Sequence, residues 1–241
     1  MRKLFSQEFL EKNAFALLLM TLITVAIGGL IEIVPLYTIE TTVERVKGVR
    51  PYSPLELAGR DIYVREGCYT CHSQQVRALR DEVERYGHYS LVAESMYDRP
   101  FQWGSKRIGP DLARVGGKYS NDWHYGHLIN PQALVPESLM PRYAFLAEKA
   151  LVTTDIERKL SVLRVMGVPY SEEHVRNARA DLEAQADPKA DTDALLKRYP
   201  RAVVVPGNGQ RVTELDALVA YLQVLGTMVD FATVTAEQKR Q

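Results

Sequence analysis

Cys68-Tyr69-Thr70-Cys71-His72 is a C-x-x-C-H run, the spacing at which a c-type haem is attached. Two thiols three positions apart can each form a thioether to a haem vinyl group. The adjoining histidine is then held under the iron as its proximal ligand. Two plainer readings compete. A redox dithiol asks for a surrounding βαβ pattern, which the flanking sequence lacks. A zinc site asks for two further soft or imidazole ligands at matching spacing, and Cys68 and Cys71 are the chain's only cysteines. Covalent haem is the reading favoured. It sets the surrounding domain on an oxidising, extracytoplasmic face, where such cytochromes mature.

Upstream, Ser53-Pro54-Leu55-Glu56 combines a serine N-cap, a proline at the first helical position and a glutamate that closes a capping box. The pattern predicts a helix from there to Glu66, stopped by Gly67, with Leu55, Ala58, Ile62 and Tyr63 as its buried stripe. Near the other end, Thr213 and Asp216 form a second capping signal. Leu215, Leu218, Val219, Leu222 and Leu225 then recur at helical spacing up to Gly226. A capped helix entering C-x-x-C-H and a final helix crossing it describe a class I cytochrome c core. Gly59 is the expected crossing point, because a residue without Cβ lets Tyr221 approach.

Between these helices, Ile108-Gly109-Pro110-Asp111-Leu112 and Val115-Gly116-Gly117 read as a loop at the haem edge. The Nδ1–H of a ligating histidine commonly donates to a nearby carbonyl, and the Pro110 carbonyl is assigned that role toward His72. An electron-carrying haem needs a second axial ligand, usually methionine or histidine. Met140 lies in Pro136-Glu137-Ser138-Leu139-Met140-Pro141-Arg142-Tyr143, a loop stiffened by prolines, and is the expected sixth ligand. Met20 falls in the apolar N-terminal run, Met228 follows the last helix, Met96 has no special context, and Met166 reads as core filler. His124 and His127 compete as a metal pair at helical spacing, but no third ligand is evident, so packing or interface roles are preferred. His88 and His174 read as solvated.

Ala14–Leu36 is almost continuously apolar and exceeds the roughly 20 residues that cross a bilayer core. A signal peptide has a shorter apolar region, so a retained anchor is expected. The count of basic residues ties, with Arg2, Lys3 and Lys12 before the span and Arg45, Lys47 and Arg50 after it, although Lys12, the nearest to the membrane, favours an inside N-terminus. The haem motif orients it, with the C-terminal domain outside. Glu32 lies within the span, read as reaching the outer interface or a partner helix, and Gly28-Gly29 would allow close helix approach. With 241 residues, 30 basic and 30 acidic side chains, the chain fits an anchor plus one domain, and nucleic acid is not an expected partner.

The outer domain resembles the monohaem cytochrome c subunit (CcoO or FixO) of cbb3-type cytochrome c oxidases. The resemblance rests on the anchor, on 67–77 (GCYTCHSQQVR), on Trp103-Gly104-Ser105-Lys106-Arg107, and on 109–116 (GPDLARVG). Trp123-His124 with His127-Leu128, then 136–143 (PESLMPRY), complete it. It covers roughly residues 10–145 and the last helix. It implies a fixed relay taking electrons from a dihaem cytochrome c subunit or a soluble cytochrome c. They pass to haem b of the haem–copper catalytic subunit, which reduces oxygen to water. It further implies one covalent haem c on Cys68 and Cys71, with His72 and Met140 as axial ligands. The Trp-Gly-Ser-Lys-Arg stretch resembles a contact with the catalytic subunit, where Lys106 or Arg107 would pair with carboxylates or else be solvated. A calcium ion at that interface is a family trait for which Ser105 is the local candidate.

The expected plan is therefore mainly α. It comprises a cytoplasmic N-terminus (1–13), a transmembrane helix (14–36), a linker (37–52), a periplasmic cytochrome c domain (53–228) and a tail (229–241). Location is a bacterial inner membrane. Residues of about 145–212 exceed what a minimal cytochrome needs. Asp155–Gly167, Ser171–Ala186 and Asp191–Tyr199 read as short helices of an insertion beside the haem core, for subunit docking or as a lid on the ligand loop. Two other functions stay open: the cytochrome subunit of a nitric oxide reductase, and a membrane-anchored haem gas sensor.

Overall fold

The computed structural model describes residues 7–38, 43, 46–98, 100–205, 207 and 211–234. Arg2, Lys3 and Arg45, which enter the charge count around the span, lie outside these residues, as do 235–241 of the tail. The described residues hold twelve α-helices and no strand. The chain forms two compact units, residues 1–45 and 46–241.

In the first unit, α1 (Gln7–Lys12) and α2 (Ala14–Thr38) are separated at Asn13, whose side chain accepts from the Ala16 N–H at 3.0 Å and so caps α2. Ala14–Pro35 is long and apolar enough to cross a membrane, and its described side chains are almost all exposed. The helix runs past the expected end at Leu36 to Thr38, with Pro35 in its last turn. Glu32 is exposed.

In the second unit the order is α3 (Pro54–Arg65), α4 (Arg80–Tyr86), α5 (Asn121–Ile129), α6 (Pro131–Leu134), α7 (Phe145–Glu148), α8 (Ile156–Val165), α9 (Glu172–Arg176), α10 (Ala178–Ala186), α11 (Asp193–Arg198) and α12 (Glu214–Val224). Both expected capping boxes are present. Ser53 and Glu56 cap α3 reciprocally, and Thr213 and Asp216 do the same for α12. α3 ends at Arg65 with Glu66 as its C-cap, and Gly67 takes φ +72°, the left-handed geometry that glycine adopts without strain.

α3 and α12 form the central pair. They cross at Gly59. A Cβ there would overlap the Ala217 carbonyl oxygen and lie 2.6 Å from its carbon and 2.8 Å from Tyr221 Cβ. Tyr63 and Tyr52 flank Tyr221, with ring centroids 5.4 and 5.6 Å away. Every residue of α12 is buried, not only the stripe its periodicity marks, because α3, α5 and α7 enclose it.

Residues 149–214 leave and rejoin this core at one point. Ala150 and Thr213 form an antiparallel bridge, Leu151 N–H donates to the Val212 carbonyl (2.9 Å), and Glu214 N–H donates to the Lys149 carbonyl (2.9 Å). Between these pinned ends, α8 and α10 pack on α3. The expected Ser171–Ala186 helix is split at Asn177 into α9 and α10. Met166 is not core filler: it is 47% exposed beside Val165, while Ile156 and Leu160 supply the buried face of α8.

Candidate haem site

α3 carries the chain into a 3₁₀ turn, Cys68–Thr70, in which Cys71 N–H (3.2 Å) and His72 N–H (3.0 Å) both donate to the Cys68 carbonyl. Thr70 Oγ1 closes the turn on the Gly67 carbonyl at 2.7 Å. The C-x-x-C-H run is thus one compact turn hung from a rigid helix. Burial pushes the Cys68 thiol up to about 12. A reactive thiol is usually one whose pKa is depressed, and Cys68 is shifted the other way.

His72 Nδ1 lies 2.8 Å from the Pro110 carbonyl oxygen, the pairing assigned from sequence. With Nδ1–H donating there, Nε2 is left to bind a metal. Gly109 makes this possible. A Cβ at that position would overlap Cε1 of His72 and lie 2.7 Å from both ring nitrogens. The Gly109 N–H also donates to the Cys71 carbonyl at 3.0 Å, so the loop is stitched to the turn it faces. Tyr63 OH donates to the His72 carbonyl at 3.3 Å.

Met140 is half-buried and, like Cys68, packs against the main core. Its loop is held by its own hydrogen bonds. Gln132 Nε2 donates to the carbonyls of Ser138 (3.0 Å) and Met140 (2.9 Å), and Tyr143 N–H donates to the Leu128 carbonyl (2.8 Å). Burial and then Cys68 and Cys71 raise the Tyr143 phenol at the loop's end. Burial and then His72 lower the His127 imidazole on α5.

A family model described as "Cytochrome C oxidase, mono-heme subunit/FixO" matches residues 7–229. The chain belongs to this family. It is a mono-haem subunit of a cytochrome c oxidase, an oxidoreductase complex, and its apolar N-terminal helix fits a single-pass membrane anchor. Among curated proteins nothing matches. The residues of this FixO subunit fit a haem. Two thiols sit on one turn, the His72 imidazole is oriented by its Nδ1, the glycine beside the ring leaves it room, and the half-buried Met140 thioether packs, like Cys68, on the main core.

Several residues of the FixO subunit take other places than expected. Arg107 does not face outward to a partner. Its side chain is only 18% exposed and bonds to Ser73, Glu82, Asp111 and the Gln75 carbonyl within this chain. Lys106 and Ser105 are exposed. Among the described residues no group of three or more His, Cys, Asp and Glu side chains is placed to hold a metal ion. His88 is stacked on Phe231 and beside Tyr89 (4.3 and 4.2 Å) rather than solvated. His174 serves as the N3 partner in the capping box of Ser171. His124 is 3% exposed, its Nε2 has no hydrogen-bond partner among the described residues, and burial followed by His127 lowers it to about 4. It is a neutral packing group at pH 7, edge-on to Trp123 and Tyr119.

Proposed function

We propose that this subunit is a fixed electron relay. It takes electrons from a dihaem cytochrome c subunit or a soluble cytochrome c and delivers them to the haem b of the haem–copper subunit that reduces oxygen to water. Cys68 and Cys71 would hold one haem c covalently, and His72 and Met140 would be the protein groups that bind its iron. Bound there, the haem supplies a one-electron ferric/ferrous couple. The protein's own part is positional. Pro110 orients His72, Gly109 leaves the imidazole its space, and the Gln132-braced loop presents the Met140 sulfur. Two protein ligands leave no open coordination site, so the subunit carries electrons without oxygen chemistry.

The single observation that carries this reading is the 2.8 Å contact from His72 Nδ1 to the Pro110 carbonyl, which fixes the ring in the orientation a proximal ligand needs. The haem domain is periplasmic and the N-terminus cytoplasmic, because thioether attachment belongs to the outer face and the described residues hold one apolar helix ahead of it. A calcium ion beside Ser105 would take most of its ligands from the catalytic subunit.

The complex that co-purifies with the chain tests the relay. The expected result is one haem per chain retained after acid–acetone extraction, in an assembly that contains copper and consumes oxygen. A copper-free assembly that reduces nitric oxide would contradict the oxidase assignment.

A further inference from the structure

Behind the His72–Pro110 pair lies a polar cluster that no haem-attachment motif requires. The Asp111 carboxylate is fully buried as a side chain. Its Oδ2 accepts from Ser73 Oγ–H (2.5 Å), from the Gln75 N–H (2.8 Å) and, at 3.4 Å, from Arg107. Its Oδ1 accepts from the Ala113 N–H (2.8 Å). One side chain therefore ties Ser73 and Gln75, beyond His72, to Ala113, beyond Pro110.

Arg107 closes the cluster from the other side. Its Nε donates to Ser73 Oγ (2.8 Å), and one terminal nitrogen donates to the Gln75 carbonyl (2.8 Å) and Glu82 (2.7 Å). Glu82 also receives Arg77, and Arg107 is the largest cause of its carboxyl lying at about 2. The backbone adds a parallel tie, Leu112 N–H to the Ser73 carbonyl at 2.9 Å. Ser73 is the hub, touching Asp111, Arg107 and Leu112, and it is fully buried immediately after the histidine.

A buried ion pair of this kind is weak evidence for stability, because desolvating both charges offsets their attraction. Its geometry points to another role. Every bond in it spans the gap between the histidine segment and the Gly109–Ala113 loop, or braces a residue that does. We propose that Ser73, Asp111 and Arg107 are positioning residues that hold the Pro110 carbonyl against His72 Nδ1 and thereby set the reduction potential of the haem. The inference rests on the His72/Met140 reading above. A firm Nδ1–H···O bond makes the imidazole more basic and favours ferric iron. Loosening it raises the potential.

Charge alone predicts something different, which makes the proposal testable. Removing the Asp111 charge raises the potential, removing the Arg107 charge lowers it, and Ser73→Ala changes no charge. Positioning predicts an upward shift in all three. The experiment is a spectroelectrochemical titration of the full haem-loaded chain in detergent, as wild type, Asp111→Asn, Arg107→Gln and Ser73→Ala. Upward shifts throughout are expected. A downward shift in Arg107→Gln, or an unshifted Ser73→Ala, overturns the proposal. If the charged variants fail to mature, Ser73→Ala decides alone, because its backbone tie to Leu112 survives the substitution. A wild-type chain without covalent haem, or one whose ferrous form binds carbon monoxide, refutes the ligand reading instead. A low-spin covalent haem with no shift in Ser73→Ala refutes only the positioning role.

Discussion

Helix α3 is covered on two faces by two kinds of contact. Toward α12 it offers Gly59, a missing side chain, and the two backbones close until no added atom fits. Toward the 149–214 segment it offers matched polar groups. Ser53 Oγ bonds Gln185 Oε1 (2.5 Å), Tyr170 OH donates to the Tyr52 carbonyl (2.8 Å), and Lys159 pairs with Asp61 (2.9 Å). Arg50 braces the same side, pairing with Glu56 (2.7 Å) and donating to the Pro200 carbonyl (2.7 Å). The first face is specified by exclusion and tolerates almost no addition. The second is specified by many partners, each worth little, and should fail gradually.

The sharpest way to break that contrast is Gly59→Val. The new side chain would meet the Ala217 backbone, which cannot move aside as a flexible side chain could, so destabilisation of about 3 kcal/mol or more is expected. Thermal unfolding with a parallel haem assay reads it, and a wild-type melting temperature would show that the crossing is not tight.

Acid should weaken the packing around α5 through His124. Its folded pKa of about 4 lies below the ordinary value of 6.5, so its contribution is complete above pH 6.5 and is lost as pH falls toward 4. The expected loss is of order 3 kcal/mol. His124→Gln should flatten the melting curve's pH dependence across that window, and an unchanged slope would remove the histidine from the account.

On the insertion side, Ser53→Ala removes both a helix cap and a buried bond to Gln185, for an expected loss of about 1–2 kcal/mol in denaturant unfolding. Lys159→Ala, which breaks a half-exposed pair, should cost at most about 0.5 kcal/mol. If Lys159→Ala proved the more damaging of the two, the picture of an interface built from many small contacts would be wrong.

What could be read in advance follows the range of the interactions. The Ser53 and Thr213 caps, the Gly67 stop and the C-x-x-C-H turn are decided within a few residues, so sequence suffices for them. Gly59 and Pro110 were legible for another reason: a glycine facing a helix and a carbonyl facing a histidine have few other uses beside that motif. Arg107 was not legible. Its inward turn depends on Glu82, Asp111 and Ser73, which approach only when loop 109–113 closes on the turn. Gly109 carried a usable signal in its place beside Pro110, but the overlap with the His72 ring needs three dimensions. The packing of 149–214 on α3 rests on pairs as distant in sequence as Ser53 and Gln185, and no local pattern announces them.

We propose an iron closed on both sides by His72 and Met140, and carbon monoxide tests this most directly. The ferrous wild-type chain should not bind carbon monoxide at room temperature. Met140→Ala should bind it readily and show a lowered reduction potential, because the thioether that favours ferrous iron is gone. Binding by the wild type, or a Met140→Ala variant unchanged in both properties, would contradict the relay.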